Sequence, residues 1–572
     1  MTDTTDEPGP GRPTPDQPSS TQPRTDWRKA PEPPPPPSFL SRFPMAGVAL
    51  AVVLGLGAVL AFVLALQAGG DEGRPAIRPG GVLRVGAVGL RSLDPLDARE
   101  PVDVMVADQV FDTLVTYDPR TLAPRAGLAA AWEANPEQTV FTFRLAETAT
   151  FHDGTPVTAA DVKFTLERIA AKDSDSPLLA QLEAVAGFGA YRDGSAPSLA
   201  GVETPADNSV VVRLDRPVAT FPAALGHPGF GIVPQAKVTE LGAAFKDGPV
   251  GSGPFRVTKQ SPAGVELARA ARAAGQPAAN LDGMLLLRFD TADAAYQTFL
   301  DGGLDVAPVP PGRAGKELKD RGRLEVRPYL GVVFYAMNLK SPDLADARLR
   351  QAVSLAIDRQ RIVAEVYKGE VEVATGLVAA GVPGRAADPC GERCAHDPER
   401  AKVLLAEAFP GGGIPEVAID HDDDPTQTAV AASIKADLDQ VGIPSAARPH
   451  PFAEYPQFLV SGQAELFRLG WVADYPSPDG FLTPLFSSSS PENLTGLASP
   501  EVDQALAAAR AEPDPAKRQT LYRDVEQQVL DQFVVVPVAQ LEVRMAVAKG
   551  VQAFALNPLG SFDGATVALA AE

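Results

Sequence analysis

From Met45 to Leu66 the chain reads MAGVALAVVLGLGAVLAFVLAL, a stretch of 22 residues without a charged side chain. As an α-helix rising about 1.5 Å per residue it would be roughly 33 Å long, enough to cross the hydrocarbon core of a bilayer. It therefore predicts a transmembrane helix and two separate polar parts. Arg28, Lys29 and Arg42 precede the run and Asp71 and Glu72 follow it, so the basic bias puts the N-terminus in the cytoplasm and everything beyond about residue 70 outside. A cleaved signal peptide would need an unusually long basic region, and Leu66-Gln67-Ala68 is a poor small-x-small cleavage site. With no cysteine in or just after the run, the helix itself is the expected anchor, and lipid attachment is not.

Residues 1–44 are rich in Pro, Thr, Asp and Gly, contain the run Pro33 to Pro37 and show no apolar periodicity. They read as a solvated, disordered cytoplasmic tail, with polyproline docking of a partner as the alternative. A Gly/Pro-rich linker follows at 67–81. The formal net charge of −21 falls almost wholly beyond the tail, and so acidic an exterior argues against nucleic acid as a partner. The exported part is long enough for two lobes.

The cysteines are Cys390 and Cys394, flanking Gly391-Glu392-Arg393. In an oxidising compartment such a pair predicts a local disulfide. His396 is close, but two thiols and one imidazole fall short of a closed zinc set.

Val82 to Val85 begins a strand. In Thr139 to Leu145 the residues Phe141, Phe143 and Leu145 alternate with Thr142 and Arg144, the period of a half-buried strand. Phe151-His152-Asp153-Gly154 is a tight turn, with His152 a turn residue rather than a catalytic base. Thr158-Ala159-Ala160-Asp161 resembles a capping box, with Val162, Leu166 and Ile169 at helical spacing behind it. A helix is predicted from Asp346 to Lys368, with Leu349, Val353, Ile357 and Ala364 on one stripe, Arg348, Arg350, Asp358, Arg359 and Arg361 on its flanks and far side, and Gly369 as its stop. Val417 to Asp420 reads as a strand, Thr426 to Leu438 as a helix, and Gly442-Ile443 as the entry to another strand, a β-α-β unit. Alternation of this kind over residues 280–540 predicts α/β lobes whose ligands sit at strand ends.

Five of these segments together resemble the bacterial extracellular solute-binding proteins of family 5, which includes oligopeptide-, dipeptide- and nickel-binding members. FTFRLAETATFHDGTPVTAADVKFTLERI at 141–169 is similar to the family's strand, F-x-D-G turn and T-A-x-D-V helix. VGSGPFRV at 250–257 resembles its G-T-G-P-Y segment, with Ser252 and Phe255 in place of the commoner Thr and Tyr. DARLRQAVSLAIDRQRIV at 346–363, HDPERAKVLLAEA at 396–408 and GWVADYPSPDGFLTPLF at 470–486 match further family segments in order.

The resemblance implies an α/β, two-lobed periplasmic-binding-protein-like fold of the class II type. Lobe I would take 82–326 plus 537–572 with a β-rich subdomain inserted near 115–205, lobe II would take 327–536, and crossovers would lie near Glu325 to Leu330 and Val534 to Val538. It implies the substrate-binding receptor of an ABC importer, holding a peptide or other small solute between the lobes and handing it to the permease subunits. Asp474 matches the family aspartate that receives a peptide's α-ammonium group, and Arg468 an arginine that in oligopeptide binders contacts the C-terminal carboxylate of short peptides; Trp471 lies between them. Charge-assisted hydrogen bonds of this kind contribute about 1.5 to 3 kcal/mol each. Ser477 stands where this segment is often acidic.

No G-x-S-x-G, H-E-x-x-H or Walker loop supports an enzyme, and no cofactor is called for. Asp420-His421-Asp422-Asp423-Asp424 begins like a calcium loop, but Pro425 and Ala431 stand where a glycine and a bidentate glutamate are needed, so the run is expected to be a solvated loop. The alternative function is a membrane-tethered sensor or cell-envelope assembly factor that keeps the binding lobes, or a binder of nickel, haem or sugar.

Overall fold

The computed structural model describes residues 77–570 with the exception of 120, 273–277 and 314–315. The tail, the apolar run at 45–66 and most of the linker lie outside the described residues. Among those described, no helix is long and apolar enough to cross a membrane.

The first strand of the main sheet, β1 (Val82–Val88), pairs in parallel with Gly283–Phe289, and the antiparallel hairpin of Phe255–Ser261 and Gly264–Arg269 carries the sheet to its edge. Helix α1 (Pro101–Val110) packs on it. Leu83, Val85, Val106, Val110 and Leu286 share one core with Val551 and Phe562, so the C-terminal segment returns to where the described chain begins.

A separate antiparallel sheet runs in the order Ala129–Ala134, β2 (Val140–Leu145), Ser209–Arg213, Val202–Ala206. The alternation read in the sequence is realised here, since Phe141, Phe143 and Leu145 turn into a core that Val162, Leu166 and Ile169 of α2 (Ala159–Ala170) cover. Asp161 Oδ2 accepts the Thr158 N–H at 2.9 Å and Thr158 Oγ1 accepts the Asp161 N–H at 3.4 Å, a capping box with a shortened acid. His152 does more than turn the chain. Its Nδ1 accepts from the Gly251 N–H at 3.3 Å and its Nε2 donates to the Gly253 carbonyl at 3.0 Å, clasping the segment VGSGPFRV. Gly251 is required there because a Cβ would stand 2.0 Å from the Val110 carbonyl oxygen at the end of α1.

The long strand β3 (Gly322–Met337) follows. The predicted single helix at 346–368 is two, Ala347–Ala356 and Arg359–Glu365, because Ile357 is extended and Asp358 caps the second by accepting from the Arg361 N–H at 2.9 Å. Two arginines expected on its outer sides are buried instead. Arg350 donates to the carbonyls of Leu344, Ala345 and Gln532, and Arg359 to those of Ser354 and Cys394, so each satisfies chain ends that water cannot reach. Cys390 and Cys394 are joined across the turn Gly391–Cys394, with Cα atoms 5.5 Å apart.

The β-α-β unit consists of β4 (Val417–Asp422), α3 (Pro425–Val441) and Ser445–His450. Asp424 caps α3 through the N–H groups of Thr426 and Gln427, and Gly442, at φ +90°, ends it. Only the end of the acidic run is a solvated loop, for Asp423 and Asp424 are exposed while Asp420, His421 and Asp422 are buried in the strand. The next strand, β5 (Leu466–Val472), pairs parallel with β4, so both open at one edge through their C-terminal ends. Helices α4 (Asp479–Phe486) and α5 (Pro500–Ala511) and the helix Pro515–Asp531 follow.

Strand β6 (Val535–Ala548) then pairs antiparallel with β3 from Gly322 opposite Ala548 to Ala336 opposite Val535. Among the described residues this joins both groups of strands in one eleven-stranded sheet. The ladder breaks between Pro328 and Val332, where Gln540 Nε2 donates to the carbonyls of Tyr329 and Gly331, each at 2.8 Å. Inside that break the Leu330 N–H bonds Pro558 O at 3.0 Å and Leu330 O accepts the Ala473 N–H at 2.8 Å. One residue thus holds both the C-terminal segment and the loop after β5.

Candidate functional site

Strand β5 sets the site out on two faces. Residues three apart on a strand point opposite ways, so Trp471 and Arg468 are on opposite sides of the sheet. Trp471 packs with Phe467 and Leu469 against the helical core, and its indole Nε1 donates to the Gly480 carbonyl at 2.7 Å. That bond braces the loop from Ala473 to Pro478, and the loop carries Asp474.

Asp474 is half-buried, and its carboxylate accepts from the side-chain amide of Gln181. Gln181 belongs to the short helix Leu179–Leu182 of the β-rich unit, so the bond joins that unit to the loop after β5. Among the described residues no Lys, Arg or His forms an ion pair with Asp474. Burial pushes its carboxyl up to about 6, only partly offset by the Gln181 bond. Tyr117 and Tyr329 sit within the field of this carboxylate. Tyr117 is held by its hydroxyl on the Ala223 carbonyl at 2.6 Å.

Five residues further on, Asp479 starts α4 and is 1% exposed. It accepts from Thr483 Oγ1 at 2.6 Å, Tyr475 Oη at 2.8 Å and Thr220 Oγ1 at 3.0 Å, with Arg510 Nε 3.6 Å away. Burial alone would raise this carboxyl, but the Arg510 charge and the hydroxyl donors outweigh it and hold it below the ordinary range. Thr220 comes from the β-rich unit, as does the Ala219 N–H that donates to Arg510 O at 2.7 Å. Ala223 and Ala224 of that unit also pack on Tyr475.

Arg468 faces the ends of β4 and β5. Its guanidinium lies 3.6 Å from Asp422, and its neighbours are Tyr335, Tyr367 and Tyr455. Tyr455 Oη donates to the carbonyls of Asp420 at 3.0 Å and Arg468 at 2.8 Å, while His450 Nε2 meets Asp420 at 2.9 Å. The structure thus sets Trp471 near the end of β5 and Asp474 in the loop that follows it. It keeps Arg468 six residues away, about 20 Å of extended chain.

The sequence profile of the family described as bacterial extracellular solute-binding proteins, family 5 Middle, matches residues 123–493. The chain belongs to this family. Relatives of this family-5 protein agree along most of their length. A probable di/tripeptide-binding protein of Pseudomonas aeruginosa is 28% identical over 489 residues, covering 81% of this chain and 90% of that one. The murein tripeptide binding protein MppA of Escherichia coli superposes with TM-score 0.68 at 23% identity, covering 87% of this chain and all of the other (100%). OppA of Haemophilus influenzae, solved in complex with RPPGFSPFR, superposes with TM-score 0.66 at 23% identity, covering 87% and 100%. The two-lobed α/β fold of solute-binding proteins is shared with them.

Gln181, Thr220, Tyr117 and Arg510 carried no signal in the sequence of this family-5 chain. Each lies in an ordinary helix, loop or short strand and acquires its role when the lobes meet. Asp479 was in view within GWVADYPSPDGFLTPLF, and its position at the start of a helix hid its part in the contact between lobes.

Proposed function

We propose that the chain is the extracytoplasmic substrate-binding receptor of an ABC importer, closing its lobes on a peptide and delivering it to the permease. One observation carries the reading. Asp474 is a half-buried carboxylate between the β-rich unit and the loop after β5, with no cationic partner among the described residues and only the neutral amide of Gln181 upon it. An acid in that state is stabilised by an arriving ammonium group, and a peptide brings one at its N-terminus. Extended peptide backbone can pair with the strand ends and loops on either side without its side chains being read, which suits a transport receptor. Trp471 braces the Asp474 loop, and Arg468 marks the far end of the ligand. Among the relatives are a probable di/tripeptide-binding protein and a murein tripeptide binding protein.

In this reading the helix at 45–66 anchors the receptor as a single pass, with the tail cytoplasmic and the lobes outside. Resistance to alkaline carbonate extraction, together with protease digestion of the lobes from the outer side, tests the anchor. Titration calorimetry with short peptides and their N-acetylated forms tests the receptor. Loss of binding on acetylation is expected, and equal affinities would remove Asp474 as the ammonium receptor.

A further inference from the structure

The eleven-stranded sheet changes partners at one place. Met545–Val547 of β6 pair with Val306–Pro308, which leads on to β1, whereas Gly331–Met337 of β3 pair with β5 and through it with β4. Among the described residues β3 and β6 are the strands common to both groups, and their own ladder breaks between the two regions. There Tyr329, Leu330 and Gly331 of β3 stand opposite Leu541 alone. An insertion of this kind takes backbone groups out of the ladder and bends the strand. A Cβ on Gly331 would lie 2.8 Å from Leu541 Cδ1 and 3.1 Å from Val472 Cγ2, so the inserted segment is held closely between β6 and the end of β5.

All three carbonyls of that segment have donors from outside the β3–β6 ladder. Gln540, 3% exposed, gives its side-chain amide to Tyr329 and Gly331, and Ala473 gives its N–H to Leu330. The other end of the same amide, Oε1, accepts the Ala380 N–H at 2.7 Å. Ala380 follows Leu377 and Val378, whose N–H groups are both taken by Glu526 of the helix Pro515–Asp531. The Gln540 amide thus ties the bend to that helix on one side, and the bend reaches the Asp474 loop through Leu330 on the other. A neutral group with a donor and an acceptor at opposite corners does this without burying a charge.

Resting on the peptide reading above, we propose that Gln540 is a positioning residue for ligand capture: it sets the conformation of Tyr329–Gly331 and, through Leu330, the place of the Asp474 loop, so that holding a ligand at Asp474 and bending the sheet at this break are one event. Motion of two parts about a joint is absorbed by a few residues of this kind. Without the amide, the carbonyls of Tyr329 and Gly331 have no donor, and the segment turns to find one. Leu330 turns with it, and the Ala473 N–H loses a fixed acceptor. The coupling runs both ways, since whatever the bend contributes to placing Asp474 a ligand on Asp474 returns to the bend.

The test compares the full chain in detergent with Gln540→Met, which keeps the volume and removes every hydrogen bond of the amide. Hydrogen–deuterium exchange, read by mass spectrometry, is expected to speed up about tenfold or more at residues 329–331 and at Ala473, with Val417–Ile419 of β4 unchanged as the reference. Unchanged exchange at Ala473 in the folded variant overturns the proposal. So does an equal increase in β4, which would make Gln540 a general support. Calorimetry with di- and trialanine and their N-acetyl forms reads the same coupling at the ligand. The affinity ratio of free to acetylated peptide should shrink at least threefold in Gln540→Met, because a loosened Asp474 loop holds the ammonium less well; an undiminished ratio overturns the proposal. If the wild type is indifferent to acetylation, the role of Asp474 fails, and exchange at Ala473 alone decides whether Gln540 places the loop. Should Gln540→Met not fold, Gln540→Glu, which keeps the acceptor for the Ala380 N–H and loses the donor, is carried through the same measurements with the same expected outcomes.

Discussion

Asp474 and Asp479 sit five residues apart at the two ends of one loop and both touch the β-rich unit, Asp474 half-buried and Asp479 wholly buried, yet their surroundings are opposite. Asp479 has Arg510 and three hydroxyl donors, and its charge is spent within the protein. Asp474 has one neutral amide, and its charge is unspent. A protein that must close on a ligand needs both kinds of contact. The satisfied one lets the lobes meet without a void, and the unsatisfied one makes the meeting depend on what is bound. Burial is shared by the two sites, so burial does not distinguish latch from receptor. The balance of partners does.

The sharpest way to break the comparison is to remove each carboxylate in turn. Asp479→Ala leaves Arg510 buried without its counter-charge, which typically costs about 3–5 kcal/mol. Urea unfolding should show that loss as a lower midpoint, and wild-type stability in the variant would mean the network is not the brace it looks. Asp474→Ala should leave the unfolding midpoint level or raised, because an unpaired charge is removed. Peptide affinity should then fall by about 1.5–3 kcal/mol, roughly tenfold to a hundredfold. Lost stability with retained affinity would exchange the roles of the two residues.

Acidity separates the pair with opposite signs. The Asp474 carboxyl, raised to about 6 in the folded chain, binds a proton in the folded state between the ordinary carboxylate range and pH 6. Its contribution therefore favours the fold at low pH and is lost as pH rises through about 6. The Asp479 carboxyl is lowered, so its contribution is present above the ordinary carboxylate range and is lost as pH falls through its depressed value. Peptide affinity should climb as pH rises through about 6, because the ammonium seeks the ionised Asp474, and a proton should be released on binding below that pH. Calorimetry in buffers of different ionisation enthalpy measures the proton. A flat affinity between pH 5 and pH 7 in a chain that stays folded would break the assignment of Asp474.

How much of this could be read in the chain follows from what kind of information each feature needs. Strand β2 and helix α2 were legible because alternation and a capping box are local, and Phe141, Thr158 and Asp161 do in the structure what their spacing implied. The helix split at Ile357 was not, because the apolar stripe runs across the break and only Asp358, acting as a cap, betrays it. The acidic run Asp420–Asp424 read as solvated by composition alone. The burial of Asp420 and Asp422 depends on His450, Arg468 and the Glu465 N–H, brought to them by strands that are neighbours in the sheet, while Asp423 and Asp424 stay exposed. The candidate site was half visible for the same reason. Asp474, Trp471 and Arg468 came from one stretch of sequence, whereas Gln181 and Thr220 meet that stretch only in the folded lobes.

The smallest expected effect falls on Trp471, which lies three residues before Asp474 on the face of β5 opposite Arg468. If its task is to hold the loop, then Trp471→Phe keeps most of the packing against the helical core and loses one neutral hydrogen bond to Gly480, about 1 kcal/mol. The unfolding midpoint should drop by that amount and peptide affinity should weaken only a few-fold, through a looser placement of Asp474. A tryptophan that stacks on the ligand would behave in the opposite way, with stability kept and affinity lost by tenfold or more. Measuring both quantities on the one variant therefore decides whether the receptor side of the loop consists of Asp474 alone, with Trp471 on the structural side beside Asp479.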